Sequence, residues 1–347
     1  MKNQKFNFAL AAMAIIFIFY LLINRLENKK PARAESGNKV VMNTIAKITA
    51  IAPDKKTARL SIDSAFEKIY RLEKLMNRYD PNSQISKVNQ SAAKEPIRVD
   101  KDLFDILQQS IYYSRKTDGA FDITVGPLVD LWKKCAEANS MPTEQQLAEV
   151  RETVGYEKLI LDANDFSVRF AKEDISLDLG GIAKGFAVDL AVKEMKKSGA
   201  LGGLVAIGGE IGCFGTTGKK EKWVIGIQNP QVLQDTDDGQ NVIARLCLTN
   251  MNVSTSGDYR RFYQIGAHRF SHIFNPATEK NADQLASVTV IAANGTEADA
   301  LATAVSVLGA EKGLEIIEKT ENTEAIIIKA GSQDLIKSRG VERYSSR

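Results

Sequence analysis

Residues 176–197 read SLDLGGIAKGFAVDLAVKEMKK, and the rest of the chain is organised around them. Residues 176–179 predict a short buried strand, Gly180 and Gly181 break it, and a helix is predicted from about Ala183 to Lys197. Backbone N–H groups and the positive end of the helix dipole meet at such a turn. The stretch therefore predicts an anion-binding turn, although a turn that only packs fits the pattern as well. Its spacing matches neither a Walker A loop nor the GxGxxG fingerprint.

The composition is that of an ordinary globular protein. The 347 residues are 44% hydrophobic and 26% charged, and 46 basic against 43 acidic side chains give a net charge of +3. This nearly balanced charge argues against nucleic acid as a partner. Cys135, Cys213 and Cys247 are widely spaced and form no CxxC motif. They are predicted to be buried thiols, and one disulfide in an oxidising compartment stays open.

The N-terminus carries a targeting signal. An uninterrupted apolar run at residues 8–23 follows two lysines, and a small-residue cleavage pattern, Ala-Arg-Ala, lies at residues 32–34. The length of the run is between that of a spanning helix and that of a signal-peptide core, so residues 1–28 are predicted to be a membrane anchor or a signal segment. We expect residues 29–38 to be a polar linker. The rest of the chain is then expected on the periplasmic side of the inner membrane.

Hydrophobic periodicity predicts helices and strands in alternation along the remaining chain. The predicted helices cover residues 57–76, 101–116, 141–154 and 183–197, one from about residue 296 to a stop at Gly309, and residues 311–319. The predicted strands cover residues 39–51, 121–125, 158–161, 166–170, 176–179, 223–228, 242–248, 287–292 and 324–329. The polar residues 77–91 predict a loop, which is either a solvated connection or a ligand contact through Tyr79. The order of elements indicates an α/β or α+β protein with mixed sheets.

A polar pair lies on the helix that starts near residue 296. Thr296 and Asp299 form a T-x-x-D capping box, and Asp299 and Thr303 are i,i+4 neighbours on one helix face. A carboxylate and a hydroxyl suit a hard cation such as Mg²⁺, but a capping acid beside a filler threonine fits equally well. The two histidines, His268 and His272, lack a third zinc ligand nearby. We therefore expect a structural or ligand-contacting role for His272.

Eight motifs, taken in order, resemble the FAD:protein FMN transferases, the ApbE family. They are VMNT (residues 41–44), NRYDPNSQISKVN (77–89), GAFDITVGPLVDLW (119–132), LDLGGIAKGFAVD (177–189), AIGGE (206–210), VSTSGDYRR (253–261), SHIFNPAT (271–278) and ADALATA (298–304). The ordered set, from about residue 40 to residue 330, carries the resemblance. It implies an α+β fold, with an ApbE-like domain at residues 39–335 built of mixed, mostly antiparallel sheets flanked by helices, and a polar tail at residues 336–347.

The resemblance also implies an enzyme. Such an enzyme uses Mg²⁺ and takes FAD as a substrate. It transfers FMN to a threonine or serine hydroxyl of a target protein as a phosphoester, and it releases AMP. The expected metal ligands are the carbonyl oxygen of Gly181 and the side chains of Asp299 and Thr303. Our hypothesis for the catalytic residues is that Asp299 or a metal-activated path supplies the base, and that His272 orients the phosphate or the acceptor. The expected flavin contacts are Met42, Tyr79, Ala120, Phe121, Asp122, Asp178, Lys184 and Ile273.

The chain departs from the family pattern at four positions. Asn43 and Glu279 stand where glycine is usual, Asn275 stands where aspartate is common, and Lys184 stands where many members have glutamate. A lysine at residue 184 adds positive charge near the expected phosphates. The departures leave the expected metal ligands untouched.

Two other functions fit the same pocket. One is a Mg²⁺-dependent FAD pyrophosphatase, which gives FMN and AMP because water takes the place of the acceptor hydroxyl. The other is a non-catalytic flavin-binding membrane protein, which has no use for a metal pair. The chain contains no acceptor motif, that is, Asp or Ser followed by Gly-Ala-Thr or Gly-Ala-Ser. The acceptor is therefore expected to be another protein, and membrane redox-pump subunits or extracytoplasmic flavoproteins are the candidates.

Overall fold

The computed structural model describes residues 30–232, 241–257, 262–332 and 334–345. The predicted N-terminal anchor and residues 258–261 of the VSTSGDYRR motif lie outside these ranges. No helix in the described ranges has the length and apolar character needed to cross a membrane.

A nine-stranded sheet forms the centre of the fold. The strands are β1 (Ala32–Glu35), β2 (Lys39–Val41), β3 (Thr44–Ala52), β4 (Ile97–Arg98), β5 (Leu159–Asp162), β6 (Ser167–Phe170), β7 (Gly202–Ile207), β8 (Glu210–Phe214), β9 (Trp223–Gln228), β10 (Val242–Leu248), β11 (Met251–Gly257), β12 (Phe262–Ile265), β13 (His268–Ser271), β14 (Leu285–Ala292), β15 (Glu324–Lys329) and β16 (Leu335–Lys337). The central sheet has the order β1-β3-β7-β8-β11-β14-β15-β16, and β2 also pairs with β3. Neighbouring strands in it run antiparallel. The α+β class with mostly antiparallel sheets is thereby confirmed.

Helices cover one face of the central sheet, and a two-stranded ribbon covers the other. The helices are α1 (Lys55–Met76), α2 (Gln84–Ser91), α3 (Lys101–Lys116), α4 (Gly126–Glu137), α5 (Glu144–Arg151), α6 (Ala183–Lys197), α7 (Gly295–Leu308) and α8 (Ala310–Lys319). Ile48 and Ala50 of β3 belong to the core under the helices, whereas Ile51 belongs to the core under the ribbon β9–β10. The two cores follow from the sequence pattern, because successive side chains of a strand point to opposite faces.

A smaller body packs beside this layered domain. Helix α4 and the hairpin β12–β13 share a separate apolar cluster that includes Leu128, Trp132 and Phe274. The indole N–H of Trp132 donates to the backbone oxygen of Glu279 at 3.2 Å, which ties α4 to the loop after β13. This body supplies one wall of the cavity described below.

Several elements differ from the sequence prediction in ways that matter for the site. Residues 39–51 form two strands rather than one, because Met42 and Asn43 turn the chain with φ values of 48° and 57°. The expected strand 121–125 is instead a bend and a turn, the expected strand 176–179 forms no regular strand, and a single bridge joins Val125 to Ser176.

Other differences concern connections and helix ends. Residues 29–38, predicted as a linker, contribute strand β1, and the loop predicted at residues 77–91 contains helix α2. The helix predicted at residues 141–154 forms only as α5, which begins after the N-cap Thr143. Helices α3 and α6, in contrast, have the predicted bounds. The three cysteines are free, and Cys247 is only partly buried.

Candidate active site

A cavity of about 830 Å³ lies where the glycine turn before α6 meets the β2–β3 turn, β9 and the small body around α4. Its wall includes every residue that the sequence singled out as a flavin contact, a metal ligand or a catalytic group. These residues are Met42, Tyr79, Ala120, Phe121, Asp122, Asp178, Gly181, Lys184, His272, Ile273, Asp299 and Thr303. They come from distant parts of the chain, so the fold, and not local sequence, brings them together.

The turn before α6 is held by Asp178. One carboxylate oxygen accepts the backbone N–H of Gly180 at 2.7 Å, and the other accepts from the Arg78 guanidinium at 2.9 Å. Arg78 also donates to Asp130 of α4 at 2.7 Å, and its side chain is only 10% exposed. Arg78 therefore joins the turn to the opposite wall of the cavity. The sequence shows this arginine in a polar loop but gives no sign of its two carboxylate partners.

Fewer backbone donors are free at the start of α6 than the sequence predicted. The N–H groups of Ile182 and Ala183 bond to the carbonyl oxygen of Leu179, and the N–H of Gly185 donates to Asp299 Oδ2 at 2.9 Å. The turn offers an anion mainly Lys184 and the dipole of α6 rather than a ring of open N–H groups.

The helix start at α7 differs from the predicted capping box. Asn294 is the N-cap and accepts the N–H of Glu297, while Thr296 donates to the carboxylate of Asp189 on α6. Asn294 precedes Glu297 by the same three-residue offset that Thr296 and Asp299 show, so the sequence pattern allowed either start. Because α7 begins earlier than predicted, Asp299 is not a capping residue. It is 1% exposed and faces the first turn of α6.

Three oxygen donors meet at this end of the cavity. Asp299 and Thr303 lie one turn apart on α7, and Thr303 Oγ1 is 3.5 Å from the carbonyl oxygen of Gly181. A Cβ atom at Gly181 would lie 2.8 Å from Thr303 Oγ1, so the close approach requires glycine. A carboxylate, a hydroxyl and a backbone carbonyl are the donor types that a hard cation takes. The residues present therefore fit Mg²⁺. No cluster of three or more His, Cys, Asp or Glu side chains suited to a metal occurs in the described part of the chain.

A lysine–carboxylate pair lies next to these donors. Lys184 Nζ is 2.9 Å from Glu210 Oε1 and 3.9 Å from Asp299 Oδ2. Burial raises the pKa of Glu210 to about 7, the ammonium of Lys184 opposes that rise, and the charge of Asp299 adds to it. The AIGGE motif contains Glu210, but no sequence signal pairs it with Lys184.

The other end of the cavity is apolar and aromatic. The β2–β3 turn places Met42 at the wall, and its N–H donates to Glu73 of α1 at 2.7 Å. Tyr79 stands at the rim with 59% of its surface exposed. Tyr263 also lines the cavity, which the sequence did not suggest. Burial raises the pKa of its phenol to about 12, so the hydroxyl group stays protonated.

Asp122 shapes the loop that carries Ala120 and Phe121. Its carboxylate accepts the backbone N–H and the hydroxyl of Thr124, both at 2.7 Å, and the N–H of Tyr156 at 2.8 Å. Burial raises the pKa of this carboxyl, and the three hydrogen bonds oppose that rise. Its position in the wall thus serves to fold the loop against the cavity.

The loop after β13 carries His272 and Ile273. It is closed by Glu279, whose φ is 55° and whose two carboxylate oxygens accept from the Arg151 guanidinium at 2.6 and 2.8 Å. Glycine adopts this backbone conformation without strain. Glu279, which replaces the usual glycine, therefore forms a bidentate ion pair with Arg151 that ties the loop to α5.

The fold and the cavity together define an α+β domain suited to a large phosphate-bearing ligand beside a hard cation. Residues 42–327 match the ApbE family, and the chain belongs to that family. It is 35% identical to a FAD:protein FMN transferase of Haemophilus influenzae, over 76% of this chain and 77% of that protein. It is 33% identical to one from Vibrio cholerae, over 80% of both.

Solved structures agree with this assignment. The ApbE protein of Thermotoga maritima superposes with a TM-score of 0.81 at 28% identity, covering 91% of this chain and 100% of that one. The flavin transferase ApbE from Vibrio cholerae superposes with a TM-score of 0.75 at 27% identity, covering 90% and 99%.

Proposed function

We propose that this protein transfers FMN from FAD to a threonine or serine hydroxyl of a target protein, in a Mg²⁺-dependent reaction that releases AMP. The observation that carries the proposal is that all the expected flavin contacts and the three oxygen donors of Asp299, Thr303 and Gly181 line one cavity. Membership of the ApbE family and the names of the relatives support it.

The metal would be held by Asp299, Thr303 and the carbonyl oxygen of Gly181. When bound, Mg²⁺ supplies charge neutralisation at the pyrophosphate and polarises the phosphorus that is attacked. The chain holds these three ligands in fixed positions, because Asp299 accepts the N–H of Gly185 and Thr303 packs closely against Gly181.

The proposed reaction is a substitution at the FMN-side phosphorus of FAD. The acceptor hydroxyl oxygen forms a bond to that phosphorus, the bond from phosphorus to the bridging oxygen breaks, and AMP leaves with the bridging oxygen. The hydroxyl proton goes to a base, for which His272 at the cavity wall is our candidate. Lys184 and the N-terminus of α6 stabilise negative charge on the phosphates.

The flavin itself would occupy the aromatic and apolar end. There Met42, Tyr79 and Ile273 line the wall, and Phe121, on the loop folded by Asp122, lies next to Gly181 at the border with the metal-binding end. The Arg78 bridge to Asp178 keeps the glycine turn at a fixed distance from α4. These residues hold the ring while the phosphates lie at the opposite end.

The partners and the location of the protein are part of the same proposal. The acceptor would be a separate protein with a Gly-Ala-Thr or Gly-Ala-Ser motif, such as a redox-pump subunit, because the chain has no such motif of its own. The apolar residues 8–23 would attach the protein to the inner membrane and leave the cavity on the periplasmic side.

The test uses the full-length protein in mild detergent with FAD, Mg²⁺ and a peptide that carries Asp-Gly-Ala-Thr. Intact mass should show one FMN phosphoryl adduct on the peptide, and chromatography should show an equal amount of AMP. EDTA should abolish both products, and a peptide with alanine in place of the threonine should gain nothing. AMP and free FMN without an adduct would favour the FAD pyrophosphatase, and bound FAD without either product would refute catalysis.

A further inference from the structure

We propose that Lys184 is a built-in cation that occupies the metal-binding end of the cavity in the free protein, and that it couples the binding of Mg²⁺ to the binding of FAD. The inference rests on the proposed function, since it concerns the same two ligands. It assigns Lys184 a role beyond contact with the phosphates.

The ammonium of Lys184 has the surroundings of a bound cation. It lies 2.9 Å from Glu210 Oε1, 3.4 Å from the carbonyl oxygen of Gly180 and 3.9 Å from Asp299 Oδ2. Two of these three oxygens belong to carboxylates that are almost fully buried, at 4% and 1% exposure. Two buried carboxylates so close together require a nearby positive charge, and Lys184 supplies it.

The cluster retains capacity for more positive charge. Glu210 Oε2 is buried and has no hydrogen-bond partner among the described residues. Ser254 lies opposite Glu210 on β11, and its Oγ atom is likewise buried without a partner among these residues. The ammonium therefore satisfies the cluster only in part. A cation that entered beside Asp299 would find acceptors but would also meet the charge of Lys184.

Repulsion between these cations follows from the geometry. A metal ion held by Asp299 would lie within a few ångströms of the ammonium, at a place where burial weakens screening by water. Mg²⁺ alone should therefore bind weakly while Lys184 points at the carboxylates.

FAD gives Lys184 another partner. Lysine is a compact charge on a flexible stem, and Lys184 lies in the first turn of α6, next to the Gly180–Gly181 turn where the pyrophosphate would lie. Once the ammonium turns to the pyrophosphate, Asp299 is released to the metal. FAD should then raise the affinity for Mg²⁺, and by linkage Mg²⁺ should raise the affinity for FAD by the same factor.

The experiment is isothermal titration calorimetry of the full-length protein with MgCl₂, with and without FAD and with no acceptor protein present. Chromatography after each titration confirms that FAD is intact. The variants are Lys184→Met and Lys184→Gln, which remove the charge with different side chains. Lys193→Met is the matched control, because Lys193 lies on the same helix, is exposed and is outside the cavity.

In the wild-type protein, FAD should tighten Mg²⁺ binding at least tenfold. In Lys184→Met and Lys184→Gln, Mg²⁺ should bind at least fivefold more tightly without FAD, and the enhancement by FAD should shrink by a similar factor. Lys193→Met should match the wild type. Unchanged or weaker Mg²⁺ binding in both Lys184 variants, or an equal gain in Lys193→Met, would overturn the proposal. If FAD failed to bind the wild type, the proposed function would fail, and the titrations without FAD would still decide the role of Lys184.

Discussion

Replacing Gly185 with alanine should separate α6 from α7 at the point where Asp299 is seated. A Cβ atom at Gly185 would lie 2.1 Å from the carbonyl oxygen of Gly295 and 2.7 Å from Asp299 Cβ. Ordinary contacts between carbon and oxygen begin at about 3.3 Å, so the two helices must part by roughly 1 Å. Overpacking of this kind costs about 3 kcal/mol, and alanine recovers about 1 kcal/mol of helix propensity. A net loss of about 2 kcal/mol is expected, which lowers Tm by roughly 3 °C in a chain of this length.

The effect on function should exceed the effect on stability. A shift of roughly 1 Å in a positioning group can reduce a rate about 100-fold, and here the shift would move Asp299 away from Gly181. The assay measures FMN transfer to the Asp-Gly-Ala-Thr peptide by intact mass, Mg²⁺ affinity by calorimetry and Tm by circular dichroism. Transfer should fall by about two orders of magnitude at temperatures well below the new Tm.

A control variant separates the two effects. Gly313→Ala on α8 also introduces a methyl group against α7, but it meets Val305, at 2.6 Å from Cγ1 and 3.3 Å from Cα, and Val305 lies outside the cavity wall. Gly313→Ala should therefore leave transfer and Mg²⁺ affinity unchanged. If Gly185→Ala kept wild-type transfer and Mg²⁺ affinity, the contact between α6 and α7 would not set the geometry of the metal ligands.

Three further predictions concern buried carboxylates. Asp299→Asn should abolish measurable Mg²⁺ binding by calorimetry and reduce FMN transfer about 100-fold, because the cation loses its one charged ligand; wild-type Mg²⁺ affinity would remove Asp299 from the metal set. Burial raises the pKa of Glu210 from 4.5 to about 7, so its favourable contribution to stability is present below pH 4.5 and is lost as the pH rises to 7. As the pH rises over this range, Tm should fall more steeply for the wild type than for Glu210→Gln. An equal fall of Tm in both proteins would show that Glu210 does not have a raised pKa. Glu324 accepts hydrogen bonds from Ser338, Gly340 and Arg343 and so fixes the C-terminal segment. Glu324→Gln should cost about 2 kcal/mol in urea unfolding without changing FMN transfer, and an unchanged midpoint would show that the segment is not held by this carboxylate.

The sequence predicted those parts of the molecule that local chemistry decides. Helix α6 was predicted at its observed bounds because a glycine pair precedes it and apolar residues recur with helical spacing through it. The expected flavin contacts, metal ligands and catalytic groups came from family motifs, and the structure places all of them around one cavity.

Local sequence patterns gave wrong secondary structure where a side chain forms a hydrogen bond with the backbone or with another element. Residues 121–125 alternate like a strand, yet the Asp122 carboxylate bends them by accepting the N–H of Thr124. At α7, Thr296 was the predicted N-cap, but Asn294 caps the helix and Thr296 donates to Asp189 of α6 instead.

Contacts between charged residues that are distant in the chain could not be predicted from the sequence. Arg78 meets Asp178 100 positions further along, and Lys184 meets Glu210 from a different element. Such pairs depend on how whole elements pack, and neither periodicity nor spacing within one segment carries that information. They are also the contacts from which the role of Lys184 was inferred.

The wall of the cavity extends along the chain from Met42 to Thr303. During synthesis, α7 leaves the ribosome long after α1 and α6, so a nascent chain has the flavin end of the site before it has Asp299 and Thr303. The cation therefore has no complete site until α7 has been made, so it cannot guide early folding. A carboxylate cluster that carries its own lysine counterion suits a protein that has to fold before any metal reaches it.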